Sequence, residues 1–308
     1  MHRDFVGEKV AFYYIYKRLE HPGRNGYVDP FTIQERLLHI QEAKKTLGTR
    51  IPWICDTMQD EMRDAFGGAP NSEFILDAEG TIVRMRRWSN PDQLHRDLTE
   101  LVGEPKRGDS QARRIAVRQN RGPTYATGVT PKLKVPSGLR RLRIETVPQE
   151  SAEQRPYYAK LQVFGQDTVI DGGDGLLHLY FQLDPIHHVH WNNLAAPIEY
   201  EIKFAGDNAD SEANAWYNVI VPTSGTGPDV EAEADSDPRE FLVHLCGVNP
   251  DLPLELNVRY FACSDEAGWC RAVSQSYLVH LQRDDDSRRR MDSRGRAGAR
   301  GFFGRFGQ

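Results

Sequence analysis

The hydrophobic pattern of this 308-residue chain changes period once, and that change limits what it can fold into. Up to residue 103, short apolar runs alternate with stretches whose apolar residues recur every three or four positions. This is the mark of strands alternating with amphipathic helices. From residue 132 to 282 the pattern becomes a series of short runs with turn residues between them, at 139–145, 157–164, 176–183, 198–204, 216–221, 241–245, 254–261 and 276–281. Such a succession predicts an all-β sandwich. Residues 104–131, rich in Arg, Gly, Pro and Gln with no sustained period, read as a linker. Residues 223–239, rich in Gly, Asp and Glu, read as an exposed loop. Residues 283–308 read as a disordered Arg/Gly-rich tail. Its arginines, interleaved with Phe and Gly, suit RNA or an acidic surface, with a solvated tail as the default.

Within residues 1–103 the expected order is β-α-β-α-β-β-α. The run VAFYYIY at 10–16 predicts a buried strand, followed by a polar loop with His21-Pro22 and Asn25-Gly26-Tyr27. In α/β sheets functional residues gather just past the C-terminal ends of strands, which is where His21 stands. Thr32 and Glu35 have capping-box spacing; Ile33, Leu37, Ile40, Ala43 and Leu47 give a helical stripe, and Gly48 a C-cap. IPWIC at 51–55 predicts a second strand, with Asp56 or Thr57 capping a helical turn that faces Met62 and Phe66 inward. Runs 72–76 and 81–86 flank Asp77-Ala78-Glu79-Gly80, a hairpin signal. Pro91 opens a last helix with Leu94, Leu98 and Leu101 inward, ended by Gly103.

Composition excludes several classes. A net charge of −5 gives no global field for nucleic acid, so no specific nucleic-acid partner is expected. No apolar run reaches membrane-spanning length, and no signal-type segment precedes Phe5. The chain as written is expected in the cytoplasm, or outside it if a signal segment lies upstream. The four cysteines are too few for a disulfide scaffold, and CSDEAGWC at 263–270 fits no zinc-knuckle spacing. Cys55, ending an apolar strand, and Cys246 are expected in the core. His187, His188 and His190, with His178, His244 and His280 elsewhere, read as a turn-and-strand group rather than a metal site. Trp191 and Trp269 read as core or loop anchors. Neither a metal nor a cofactor is expected.

Residues 10–103 resemble the iodothyronine deiodinase family, which has a thioredoxin-like fold. The resemblance is carried by FYYIY at 12–16, His21-Pro22, Asn25-Gly26-Tyr27, the ERL and EAKKTL pieces of the 35–47 helix, Asp56-Thr57-Met58 and Phe66-Gly67-Gly68-Ala69-Pro70. It implies thiol or selenol chemistry, in which a helix N-terminus lowers the nucleophile's pKa. His21 takes the place of the family's substrate-polarising histidine, with Glu20 beside it. The family's glutamate two before the histidine is Leu19 here. Pro70 takes the place of a cis-proline that presents backbone to a partner. The resemblance begins at the fold's second strand, so the first strand and its redox helix are expected upstream of Met1, where a selenocysteine codon would have been read as a stop. The upstream DNA tests this: an in-frame extension encoding a strand, a Cys or UGA, and a helix is expected, and its absence contradicts the idea.

Residues 176–282 resemble the immunoglobulin-like N-terminal domain of bacterial transmembrane thiol:disulfide interchange reductases. LYFQLDPIHHVHWNN at 179–193, Pro197 and VRYFACSDEAGWC at 258–270 carry the resemblance, while Arg271-Ala272-Val273 departs from the family's Tyr-Pro-Pro. It implies that Cys263 and Cys270 cycle between dithiol and disulfide. A fixed bridge or two reduced thiols remain open. The two resemblances together imply a thiol/selenol oxidoreductase-like protein that meets a thiol reductant or redox partner protein, without turnover from this chain alone. The other expectation is a non-enzymatic docking protein with a degenerate thioredoxin scaffold.

Overall fold

Thr32 and Glu35 close a capping box on each other, and the helix they start is the longest among the described residues. The computed structural model describes residues 2–5, 10–19, 22, 27–105, 125–148, 156–205 and 219–284. They fall into two units, residues 1–122 and 123–308. The first unit contains α1 (His2–Phe5), β1 (Tyr14–Tyr16), α2 (Ile33–Leu47), β2 (Trp53–Cys55), α3 (Glu61–Phe66), β3 (Glu73–Leu76), β4 (Ile82–Arg86) and α4 (Pro91–Val102). Strand β1 runs parallel to β2, and β3 antiparallel to β4. Among the described residues these are two separate two-stranded sheets.

Local signals did their work in this unit. Gly48 ends α2 with φ 57°, its N–H donating to Lys44. Asp56, fully buried, accepts from the backbone of Thr57 and from the Met62 and Arg63 N–H groups at the start of α3. Asp77 accepts from Glu79 and Thr81 to close the β3–β4 turn. Asn90 caps α4 ahead of Pro91. Two expectations fail. The run at 10–16 is a strand only at its end, and Tyr13 and Tyr14 are exposed. The inward face of α2 only partly follows its apolar stripe: Ile40 is buried but Leu37 is exposed, while the polar Glu35, Arg36 and His39 are buried. The reason is polar. Arg36 donates to the Lys17, Asp56 and Thr57 carbonyls and to Asp60, and His39 Nδ1 lies 2.7 Å from the Tyr16 hydroxyl. Arg18 and Arg63 join Arg36 on Asp60, and Arg86 bridges Glu73 and Asp97. Apolar burial here is limited to Phe5, Val28, Ile40 and Leu98 among the described residues.

The second unit is nearly all β. Its elements are β5 (Arg140–Val147), β6 (Ala159–Gly165), the short α5 (Asp167–Ile170), β7 (Gly175–Leu183), a 3-10 turn at Pro185–His187, β8 (His190–Asn192), β9 (Glu199–Phe204), β10 (Val219–Val221), β11 (Ser224–Thr226), β12 (Ala234–Asp235), β13 (Arg239–Cys246), β14 (Leu254–Ser264) and β15 (Trp269–Arg283). They form one large sheet in the order β10-β13-β7-β6-β5-β15-β14-β8-β12, with β9 on β14 and β11 on β9. Strand β5 joins its two halves, pairing with β6 through Arg140 and Arg141 and with β15 beyond them. The inner faces of the halves meet. Tyr260 of β14 accepts from the Ala159 N–H, Tyr277 of β15 donates to the Ala159 carbonyl, and Tyr200 packs on Phe241. This architecture is compatible with a β-sandwich.

Residues 223–239 are not the exposed loop their composition predicts. They contribute β11 and β12, and Asp235 and Arg239 are buried. The two side chains form a bidentate pair with distances of 2.7 and 2.9 Å. Arg239 also donates to Thr130 and Asn193 and lies over the Trp191 ring. The expected linker is shortened for a related reason. Asp237 accepts from the backbone N–H groups of Gly128, Val129 and Thr130 and so fastens that segment to the second unit. Burial raises the Asp237 carboxyl, but these donors and Arg239 outweigh it and hold its pKa below the usual carboxylate value. Residues 106–124 of the expected linker, 216–218 of the expected strand and 285–308 of the expected tail lie outside the described residues.

Asp235→Ala leaves a buried guanidinium without its carboxylate and is expected to destabilise the second unit by about 3–5 kcal/mol. Lys203→Ala, which breaks the exposed Lys203–Glu255 pair, should cost under about 1 kcal/mol. Denaturant unfolding followed by near-ultraviolet circular dichroism distinguishes the two. Equal effects contradict this account.

Candidate functional site

Along β14 buried side chains alternate from Leu254 to Ala262, and Cys263 and Ser264 beyond them are buried too. Leu254, Leu256, Val258, Tyr260 and Ala262 are buried on the inner face, so Cys263 points to the other face. On β15 the inner set is Val273, Gln275, Tyr277, Val279 and Leu281, which puts Cys270 on the outer face as well. The strands pair so that Cys263 lies directly opposite Cys270, one step from the Ser264–Trp269 pair that closes the turn. The two cysteines are joined by a disulfide, with Cα atoms 4.1 Å apart. Gly268, with φ 66°, supplies the left-handed residue that the four-residue turn needs.

The two sulfurs differ in access. Cys263 is 2% exposed, whereas Cys270 is on the surface. Asn192 Nδ2 stands 3.8 Å from the Cys270 sulfur. On the other side of Cys263 lies β8, where His190 is the residue directly opposite. His190, Cys263 and Cys270 therefore form one row across three strands, on one face of the sheet. Directly opposed Cβ atoms in such a pair are about 4.5–5.5 Å apart.

His190 is buried and held from three sides. Its Nδ1 is 2.9 Å from the Trp191 carbonyl, its Nε2 is 3.1 Å from Asp265 Oδ1, and the Tyr125 ring lies against it with centroids 4.5 Å apart. Burial, and then the charge of Asp265, push the Tyr125 hydroxyl above its ordinary pKa. Behind the row, on the inner side, Trp191 donates to the Asp237 carbonyl, and Trp269 lies against Tyr158 with the Arg271 guanidinium over its ring.

The other residues singled out by sequence do not join this row. His21 and Glu20 lie outside the described residues. Pro70 is exposed, and its peptide bond is not cis; the cis bond among the described residues is Val221–Pro222. The resemblance to a cis-proline position is thus corrected by the backbone. The adjoining carbonyls of Gly67 and Ala69 instead accept from Lys17 Nζ. Cys55 is half-buried at the end of β2, and burial raises its thiol pKa, with Arg36 opposing. Such a thiol is a poor nucleophile at neutral pH. Cys246 is not in the core as expected. It sits on the outer face of β13, 3.1 Å from His244 Nδ1, because β13 turns its odd-numbered residues inward. Among the remaining histidines, His178 pairs with Glu240 and His280 with Glu145, while His188 stands in a left-handed turn rather than on a strand.

Sequence reasoning found the two cysteines but not the placement of His190 opposite Cys263 or its contacts with Asp265 and Tyr125. The signal for His190 was present in the strand-like alternation at 190–192. What was missing was the partner strand, since no sequence rule pairs residue 190 with residue 263. No family model, curated protein or solved structure matches this chain.

Proposed function

We propose that this protein is a thiol-based oxidoreductase-like protein whose exchangeable centre in the second unit is the Cys263–Cys270 bridge. One observation carries this: the bridge joins an open sulfur to a closed one. Thiol–disulfide exchange needs access to the sulfur under attack, and it releases the other as a thiolate. A thiolate reaching Cys270 meets its sulfur at the surface, and Cys263 is the leaving group. The bridge spans seven residues, so reclosing it after reduction costs little chain entropy.

The finer fold assignments belong to the same proposal. The order of α2, β2, α3, β3, β4 and α4, with β1 parallel to β2 and a β3–β4 hairpin, supports a thioredoxin-like first unit related to the deiodinase family. The two meeting halves of the second unit support an immunoglobulin-like sandwich of the interchange-reductase type. The partner in this view is a dithiol reductant or redox protein. A second function is favoured by a specific observation in the first unit. There Cys55, with its raised pKa, is the thiol present among the described residues, which suits a docking scaffold rather than an enzyme.

With Cys55 and Cys246 replaced by alanine, dithiothreitol is expected to open the bridge in the folded protein. In that background, Cys263→Ser leaves the exposed Cys270 thiol and Cys270→Ser leaves the buried Cys263 thiol. The first should react with an aromatic disulfide reagent at least about tenfold faster, since exchange follows thiolate access. A bridge that opens only on unfolding, or equal rates for the two variants, favours the docking scaffold.

A further inference from the structure

Opening the bridge leaves a problem at the closed sulfur. When a dithiol thiolate attacks Cys270 Sγ, a new S–S bond forms to the reductant and the Cys263–Cys270 bond breaks. The electron pair departs on Cys263 Sγ. The second thiol of the reductant gives up its proton to water and displaces Cys270, which leaves as a thiolate, and the Cys263 and Cys270 thiolates each take up a proton from water. The reductant ends as a disulfide and the protein as a dithiol. Cys263 has almost no access to water to stabilise its charge, and an unsolvated thiolate is a poor leaving group.

We propose that the charged His190 ring stabilises the Cys263 thiolate as it leaves, and so controls how fast the bridge opens. This rests on Cys263–Cys270 being exchangeable, as proposed above. Three observations converge on His190. It is the residue directly across from Cys263 on the same outer face, placed there by the β8–β14 register. It is buried, so its charge acts through little water. Both ring nitrogens face oxygen acceptors, the Trp191 carbonyl and Asp265 Oδ1. A ring with one proton satisfies one of these acceptors, and a ring with two satisfies both.

Other charged and titratable groups also stand around the row. Asp265 and Glu266 lie in the turn after β14. Tyr125, packed on the ring, remains protonated because its pKa is pushed up. Asp235 on β12, the strand on the other side of β8, is opposite Trp191 and engaged with Arg239, so it belongs to the inner face. Cys263 itself is bridged until the step occurs.

The test uses the full chain with Cys55 and Cys246 replaced by alanine, with dithiothreitol as the reductant. Each opening rate is divided by the dithiothreitol thiolate concentration at that pH. An opposite charge beside a thiol shifts its pKa by about one to three units, and a better leaving thiolate departs faster. The normalised rate is therefore expected to fall about three- to tenfold from about pH 5 to about pH 8, the range over which histidine loses its charge. His190→Gln and His190→Asn, which remain neutral, should show flat profiles at the slow, high-pH value. A flat profile in the unsubstituted background overturns the proposal without recourse to any variant. So does a fall that persists in either folded His190 variant. If dithiothreitol does not open the bridge in the folded protein at any pH, both this proposal and the exchangeable bridge fail. If it opens with a flat profile, only the role of His190 fails.

Discussion

The register between β14 and β15 is the constraint on which the second unit and its cysteine site both depend. Eleven residue pairs, from Leu254 with Val279 to Ser264 with Trp269, fix which side chains look inward. The inward set, including Tyr260, Tyr277 and Val279, supplies much of the core and both tyrosine hydrogen bonds to β6. The outward set carries Cys263 and Cys270. A slip of one residue would exchange the faces, exposing the tyrosines and separating the sulfurs. Core and disulfide therefore require the same alignment. The disulfide is placed where the paired strands end, with Cys263 buried and Cys270 at the surface.

The two units are held by different physics. The second has a broad apolar interior, with leucines, valines and aromatic rings buried on both inner faces. Its buried Asp235–Arg239 pair costs desolvation that the bidentate geometry and the Asn193 and Thr130 contacts offset. The first relies on few buried apolar side chains and on arginine–carboxylate clusters at Asp60 and Arg86. Its two strand pairs stay separate among the described residues, and Tyr13, Tyr14, Ile54 and Met85 remain exposed.

Much of the fold was legible locally. The capping box at Thr32 and Glu35, the Asp77 turn and the Asn90-Pro91 start each close within a few residues, so sequence spacing alone determines them. Alternation also located the long strands. What sequence could not reveal were contacts made at a distance. The polar inner face of α2 exists because Arg36 meets carbonyls near residues 17 and 57. Residues 234–239 read as polar loop because the pairing of Asp235 with Arg239, and of Asp237 with residues 128–130, is invisible in composition. Cys246 lies outside the core because the apolar-looking strand β13 has two faces and its even-numbered residues look outward. The disulfide was legible as a possibility, while its asymmetry, closed at Cys263 and open at Cys270, follows from the neighbouring strand β8.

The most direct test of this account is the equilibrium reduction potential of the Cys263–Cys270 bridge in the folded full-length chain, measured against graded dithiol/disulfide buffers at neutral pH. A bridge with one surface sulfur, built to exchange, should have a potential above about −300 mV. A value well below that marks a permanent structural bridge and contradicts an exchangeable centre at this site.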